Sequence, residues 1–182
     1  MHPLHYHVAS SLDGYIAHPD DTFDGFPMEG DHIADFIASW STYDCVLMGR
    51  RTYEQGSKVG VLDPYPMLHK YVFSRSLGTS PHPNVTVIDS DAASAVRELK
   101  QRTGDRPMWL CGGSQLATTL LEAGLLDEVI VKLNPRVFGE GIPLFAPPFR
   151  RHSLELADVK RYDSGVLRLT YRCPSPLTAS SA

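Results

Sequence analysis

Residues 108–131 have the sequence MWLCGGSQLATTLLEAGLLDEVIV. The run 108–111 is short and wholly apolar, which is typical of a strand buried on both faces. Gly112-Gly113 then opens a helix over 114–123 whose leucines fall on one face. Gly124 stands where a helix ends in the left-handed conformation, and 129–131 is a second apolar run. A strand, a helix and a strand in this order predict a parallel βαβ unit.

The same alternation extends outward over most of the chain. Strands are predicted at 4–9, 45–48, 71–73 and 85–88, and helices are predicted to begin at the capping residues Asp31 and Asp91. After a loop rich in Gly and Pro, 154–156 and 166–171 alternate around a turn at 162–165, which predicts a hairpin. We therefore expect an α/β fold with a mixed, mostly parallel central sheet, helices on both faces and a C-terminal antiparallel β-hairpin. We expect one domain over residues 1–174 and a flexible tail over 175–182.

Composition excludes several classes of protein. The 182 residues carry a formal net charge of −4, from 17 basic and 21 acidic side chains, which argues against general binding of nucleic acid. The three cysteines are far apart and form no CxxC, so we expect neither a disulfide framework nor a metal site. No apolar run reaches the ~20 residues of a membrane span, and no signal peptide is evident. These features predict a cytoplasmic protein whose partner is a small-molecule substrate.

Three segments at predicted strand ends point to a nucleotide. Gly49-Arg50-Arg51-Thr52 combines a glycine, two cations and a new helix, whose free N–H groups suit an anion. Ser74-Arg75-Ser76 and Gly112-Gly113-Ser114-Gln115-Leu116 follow two other strands. In open α/β sheets ligands bind beyond the carboxyl ends of the strands. Because arginines rather than an acid stand at these turns, the predicted cofactor is NADPH and not NADH.

Taken together, these segments resemble the dihydrofolate-reductase-like superfamily. Within it, the chain is most similar to the reductase domain of the bacterial riboflavin-biosynthesis deaminase–reductase and to stand-alone relatives of that domain. The matching segments are VASSLDGYIA, LMGRRTYE, YVFSRS, the stretch from Trp109 to Val131 and LNPRVFGEGIPLF. The resemblance covers the chain up to about Tyr171. It implies an NADPH-dependent oxidoreductase that transfers a hydride to a small heterocyclic or carbonyl substrate.

The resemblance also implies roles for individual residues. Ala9, Ile16 and Ala17 match positions that flank the nicotinamide, and the three strand-end segments would hold the phosphates and the adenosine ribose. The implied cofactor-binding set is Ala9, Ile16, Ala17, Gly49, Arg50, Arg51, Thr52, Ser74, Arg75, Ser76, Gly112, Gly113, Ser114, Gln115 and Leu116. Asp13 lies in the SLDG segment at the implied substrate site, and we predict it as the proton donor. Asp31 and Asp35 are the alternative substrate-site carboxylates.

Departures from the family pattern bear on the substrate. Dihydrofolate reductases place a carboxylate on the first helix, and the corresponding position here is Ile33. Riboflavin reductases have Lys after SLDG and Glu before the diglycine, where this chain has Tyr15 and Cys111. Two alternatives therefore stay open beside a reductase related to 5-amino-6-(5-phosphoribosylamino)uracil reductase. One is a non-catalytic NADP(H)-binding or interaction protein, and the other is a dihydrofolate reductase.

Two further expectations concern assembly and the histidines. The resemblance implies a homodimer, and a predicted edge strand with Val166, Leu167 and Leu169 needs cover. His5 and His7 point to one face of the first strand, where we interpret them as satisfied or solvated side chains rather than metal ligands.

Overall fold

A mixed eight-stranded sheet runs through the computed structural model, which describes residues 2–58, 63, 65–79, 82–102 and 104–174. The predicted tail 175–182 lies outside the described residues. The strands are β1 (Leu4–Ser10), β2 (Tyr15–Ala17), β3 (Cys45–Gly49), β4 (His69–Phe73), β5 (Val85–Ile88), β6 (Met108–Gly112), β7 (Glu128–Leu133), β8 (Ile142–Pro143), β9 (Glu155–Arg161) and β10 (Leu167–Arg172). The helices are α1 (Asp31–Ser39), α2 (Arg50–Lys58), α3 (Ala92–Lys100) and α4 (Ser114–Glu122).

The strand order in the large sheet is β5-β4-β3-β6-β1-β7-β10-β9. The first six strands are mutually parallel, and β10 pairs antiparallel with both β7 and β9. β2 and β8 form a separate antiparallel pair. The mixed, mostly parallel sheet with a C-terminal antiparallel hairpin is confirmed. Because the first six strands run the same way, their carboxyl ends meet at one edge, where a ligand site is expected.

Helices cover both faces of the sheet. On one face α3 and α4 pack their apolar sides, with Val96, Leu99 and Leu120, against fully buried strand residues. On the other face α1 and α2 lie over a smaller cluster built on Val46 and Trp109. Strand alternation sends neighbouring residues to opposite faces, so each strand serves two layers.

Helix ends match the predicted signals at α3 and α4 but not at α1. Asp91 caps α3 by accepting a hydrogen bond from the Ser94 amide at 2.8 Å. Gly124 has φ +65° after α4, as a left-handed helix end requires. The prediction that Asp31 caps α1 was wrong. Gly30 is the N-cap, and Asp31 is already helical.

The edges of the sheet are also different from those predicted. The strand with Leu167 and Leu169 is β10, and it lies inside the sheet between β7 and β9. The outer strands are β5 and β9. The reason is the hairpin itself, whose second strand returns to pair with β7 and leaves the first outside. None of the helices in the described ranges is long and apolar enough to cross a membrane.

Candidate active site

One large cavity opens where the carboxyl ends of the parallel strands meet. Its volume is about 1480 Å³, whereas ligand pockets usually occupy about 300–1,000 Å³. The cavity therefore has room for a cofactor together with a second ligand. Residues from β1, β3, β4, β6 and β7 contribute to its wall, and α1 covers part of one side.

All but one of the predicted cofactor-binding residues line this cavity. Ser76 is the exception, and it lies directly behind the wall, where its hydroxyl accepts a hydrogen bond from Arg50 Nη1 at 2.7 Å. The residues in the wall are Ala9, Ile16, Ala17, Gly49, Arg50, Arg51, Thr52, Ser74, Arg75, Gly112, Gly113, Ser114, Gln115 and Leu116. Segments that are far apart in the sequence thus form one surface.

The glycines of two segments lie close together at the centre of the wall. β3 and β6 are neighbours, so their following turns meet, and a Cβ built at Gly49 would lie 3.6 Å from the Gly113 nitrogen. Gly112 has φ +143°, a conformation that residues with side chains rarely adopt. Gly112 is buried and Gly113 half-buried, and both line the cavity, so a phosphate there would meet backbone with no side chain in between.

The beginning of α4 offers unsatisfied donors to the cavity. Gly113 is its N-cap and makes no side-chain capping bond, so the first amides of the helix have no side-chain partner. Ser114 Oγ is buried and has no hydrogen-bond partner within the described ranges, and Ser114 lines the cavity. A helix N-terminus attracts anions through these amides and the helix dipole. The geometry fits a pyrophosphate.

The three arginines of the wall differ in their ion pairs and hydrogen bonds with other side chains. Arg51 forms an ion pair with Asp21, at 2.6 Å, and Arg50 Nε donates to Glu54 at 2.7 Å. Arg75 is exposed and makes no hydrogen bond or ion pair to any residue that the structure describes. Arg75 is therefore the cation of this wall most available to a ligand phosphate.

The SLDG aspartate holds its own loop together. Asp13 accepts hydrogen bonds from Ser11 Oγ at 2.6 Å and from the amides of Phe138 and Gly139 at 3.1 and 2.7 Å. The Ser11 bond, with smaller help from the two amides, lowers the pKa of Asp13 to about 2. Asp13 is not among the residues that line the cavity. A carboxylate ionised at neutral pH and bound in this way is a poor proton donor.

The structure does not bring the other two predicted aspartates into the cavity either. Asp31 accepts from the Asp163 amide at 2.9 Å. Asp35 accepts from Lys160 Nζ at 2.7 Å and from Arg168 Nη1 at 2.9 Å. Both carboxylates thus tie α1 to the C-terminal hairpin. Ile33, between them, does line the cavity.

Aromatic side chains, which the sequence analysis did not assign to a site, form the inner end of the cavity. The rings of Trp40 and Tyr65 lie 5.0 Å apart, and those of Tyr65 and Trp109 lie 4.7 Å apart. Phe36 contacts both tryptophans edge-on, at 5.7 and 5.5 Å. His7 adds a ring 5.1 Å from Phe36. The aromatic and apolar lining of this pocket suits a flat ligand.

Two ionisable groups lie in the wall of this aromatic end. Lys132 Nζ is 3.6 Å from the centroid of the Phe36 ring, and burial lowers its pKa to about 8. Burial raises the pKa of the Cys111 thiol to about 11. Within the described ranges no group of three or more His, Cys, Asp or Glu side chains is arranged to hold a metal ion.

Known proteins share this fold and sequence pattern. The family model for the RibD C-terminal domain matches residues 4–168. The uncharacterized protein YwjB of Bacillus subtilis (strain 168) is 35% identical over 164 residues, which cover 88% of this chain and 92% of YwjB.

Two solved structures show the shared fold at lower sequence identity. A protein of Shewanella sp. PV-4 provisionally assigned to riboflavin biosynthesis superposes with a TM-score of 0.81 at 22% identity, over 96% of this chain and 99% of that one. A diaminohydroxyphosphoribosylaminopyrimidine deaminase/5-amino-6-(5-phosphoribosylamino)uracil reductase of Thermotoga maritima gives a TM-score of 0.68 at 20% identity. That match covers 95% of this chain and 57% of the other.

Proposed function

Because the chain belongs to the RibD C-terminal domain family, we propose that it is a cytoplasmic NADPH-dependent reductase of a small carbonyl or heterocyclic compound. The observation that carries the proposal is the single cavity that unites the predicted cofactor segments with an aromatic pocket. The three cysteines are free thiols, in keeping with a reducing compartment.

The residues of the wall fit a dinucleotide with a 2′-phosphate. The cavity-lining backbone at Gly112-Gly113 and the uncapped start of α4 would hold the pyrophosphate. Arg75, with Ser74 beside it, would hold the 2′-phosphate. When bound, NADPH supplies the hydride, and the protein supplies orientation and a pocket shielded from water.

Binding of NADPH can be read from the protein's own fluorescence. The chain has two tryptophans, Trp40 and Trp109, and both line the cavity. Titration with NADPH should therefore quench tryptophan emission and excite the emission of the nicotinamide. The proposal fails if neither signal changes while calorimetry also detects no binding.

NADPH is expected to bind more tightly than NADH, and Arg75 should account for the difference. A hydrogen bond to a charged group contributes about 1.5–3 kcal/mol, which corresponds to roughly tenfold or more in affinity. Arg75→Gln should lose that factor for NADPH and leave the affinity for NADH unchanged. The control is Arg151→Gln, which replaces an exposed arginine outside the cavity. Equal affinities of the parent protein for both cofactors, measured by calorimetry, would contradict the prediction.

A non-catalytic nucleotide-binding protein is the alternative function. The aromatic pocket favours a reductase, because a pure binding protein needs no second pocket continuous with the cofactor wall. The uracil reductase activity of the Thermotoga maritima relative is one candidate activity. NADPH oxidation with a panel of carbonyl and heterocyclic compounds decides between catalysis and binding.

We also propose that two copies of the chain form a dimer. The sequence resemblance implies it, and the outer strand β9 exposes Leu156 and Val159, whose exposed fractions are 58% and 50%. An exposed apolar edge strand favours pairing with another chain. Light scattering should give about twice the chain mass of 20.1 kDa. Leu156→Lys should reduce that mass, whereas a mass of one chain for the parent protein would refute the dimer.

A further inference from the structure

The inner end of the cavity contains polar groups that have no hydrogen-bond partner among the residues that the structure describes. The Lys132 ammonium forms no hydrogen bond or ion pair within the described part of the chain. His7 Nε2 and Trp40 Nε1 are buried and likewise unpaired. His7 and Lys132 are only 4% and 8% exposed, and both line the cavity. Unpaired polar groups at such depth destabilise a fold unless a ligand or water satisfies them.

The position of Lys132 in the sheet distinguishes it from its charged neighbours. In the strand register Lys132 lies opposite Arg168, and Arg168 lies opposite Lys160, so three cations form a row across β7, β10 and β9. Arg168 and Lys160 both bind Asp35. Lys132, the innermost cation, has the Phe36 ring beneath it. Its other partner in the register is Ala9, which belongs to the predicted nicotinamide wall.

His7 contributes a second donor next to Lys132. Tyr43 Oη lies 2.9 Å from His7 Nδ1. We assign the tyrosine as the donor, because a phenol donates more readily than a neutral imidazole. The neutral ring then carries its proton on Nε2, the unpaired atom. Trp109 Nε1 also donates to the His7 backbone carbonyl at 2.8 Å, which fixes the backbone from which the imidazole extends.

We propose that Lys132 Nζ and His7 Nε2 bind the carbonyl oxygen of a flat, conjugated ketone, and that Lys132 gives that oxygen its proton. The proposal rests on the reductase function and specifies its substrate class. The rings of Phe36, Trp40 and Trp109 explain the preference for a flat molecule. Among the cavity-lining residues that the structure describes, Arg75 is the other cation without an ion pair, and it lies at the cofactor segments, so the inner end has no second unpaired cation for a phosphate.

The chemistry balances with the residues present. The hydride, which the NADPH of the proposed function would supply on becoming NADP⁺, adds to the carbonyl carbon and moves the C=O π electrons onto oxygen, which becomes negatively charged. The Lys132 ammonium donates a proton to that oxygen, the product is a secondary alcohol, and the lysine is left as a neutral amine. Solvent then returns a proton to Lys132. Donors placed where negative charge develops stabilise the transition state.

Of the ionisable groups in and around this end of the cavity that follow, Lys132 is the one whose pKa lies near 8. Burial lowers the pKa of His7 to about 3, and burial raises that of Cys111 to about 11. On the hairpin side, hydrogen bonds and nearby charge keep Asp35 ionised by lowering its pKa, while Asp158 and other neighbours raise that of Arg168. Lys132, with a pKa of about 8, is therefore protonated below that pH and loses its proton above it.

Binding of a ketone tests the pocket without any cofactor. The probe is 2-acetonaphthone, and 2-ethylnaphthalene is a control of the same shape that lacks the oxygen. Calorimetry should show the ketone binding about tenfold more tightly than the hydrocarbon at pH 7, with the advantage declining above about pH 8. Lys132→Met should lose most of this advantage, keeping only the part that the His7 Nε2 donor provides, and the part that remains should not change above about pH 8.

Turnover tests the proton transfer. With NADPH and 2-acetonaphthone, Lys132→Met should lose about 100-fold or more in kcat, the range of general acid catalysis, while its Kd for NADPH stays within about twofold. The parental kcat should fall above about pH 8, and the variant should lack this decrease. Lys132→Gln provides a second replacement in case methionine disturbs folding. Lys160→Met, which removes a paired lysine outside the cavity, should keep the parental pH profile.

Specific outcomes would overturn the proposal. Equal binding of ketone and hydrocarbon by the parent protein would refute the oxygen pocket, even if NADPH binds normally. Parental kcat and pH profile in both Lys132 variants would refute the proton transfer. Failure of NADPH binding would instead refute the reductase function, and the cofactor-free ketone titration would still decide the pocket.

Discussion

With dihydrofolate as substrate, NADPH oxidation is expected to remain at least about 100-fold below the ordinary enzyme range for kcat/KM, which begins near 10⁴ M⁻¹s⁻¹. A pterin presents adjacent donors that a buried carboxylate must accept, and Ile33 occupies that position in the cavity wall. Each polar group left unpaired costs about 1–3 kcal/mol. Lys132 lies in the same pocket and would repel a protonated pterin.

The neighbouring carboxylates cannot take the place of Ile33. Asp31 is held by the Asp163 amide, and Asp35 by Lys160 and Arg168. The carboxylates that do line the cavity are also engaged, Asp21 with Arg51 and Asp91 with the Ser94 amide of α3.

Steady-state assays with dihydrofolate, run on protein whose NADPH binding has been confirmed by titration, provide the measurement. Turnover of dihydrofolate with an efficiency inside the ordinary enzyme range would show that folate is a substrate and that α1 moves on binding.

The cofactor wall could be predicted from the sequence because its signals are local. A glycine or serine directly after an apolar strand marks a strand end, and parallel strands bring such ends to one edge. The diglycine at Gly112-Gly113 and the cation at Arg75 therefore identified segments that do meet in the structure. The local sequence pattern could not show which arginine lacks an ion-pair partner. The ion pair of Arg51 with Asp21 joins residues 30 positions apart.

The aromatic pocket could not be predicted in the same way, because it depends on tertiary packing. Phe36 and Trp40 have the spacing of core residues, and they do pack on the core, but one side of each faces the cavity. Asp13 belongs to the SLDG motif, but the motif could not show its hydrogen-bond partners, because Phe138 and Gly139 lie 125 and 126 residues away. One feature of the sequence could have indicated this pocket. Lys132 directly follows the apolar run 129–131 within strand β7, and a lysine in a buried strand is rarely structural without a partner.

Acid is expected to destabilise the fold through His7 well before the carboxylates titrate. Burial, with help from the positive charges of Lys132 and Arg168, lowers the pKa of His7 to about 3. The ordinary pKa of about 6.5 applies to the unfolded chain. Between these values the unfolded state binds a proton that the folded state does not bind. The free energy of unfolding therefore falls as the pH falls below about 6.5.

The size of this effect follows from the two pKa values. Between pH 7 and pH 5 the His7 contribution should fall by about 2 kcal/mol, a large part of the 5–15 kcal/mol that usually separates folded from unfolded chains. Urea denaturation at pH 7, 6 and 5 measures it. This window avoids carboxylates such as Glu122, whose pKa its hydrogen bonds to His152 and Arg150 lower to about 2.

His7→Gln isolates the contribution of one imidazole. Glutamine keeps a polar group near Tyr43 but has no proton to gain, so the variant should lose about 2 kcal/mol less than the parent protein over the same pH range. Burial also lowers the pKa values of His5 and His69, and because both residues remain in the variant, their share cancels in the comparison. Identical pH dependence of the two proteins would mean that His7 is protonated as easily in the folded state as in the unfolded chain. The imidazole would then have access to water or to an acceptor, and its Nε2 could not be the buried, unpaired donor that the ketone pocket requires.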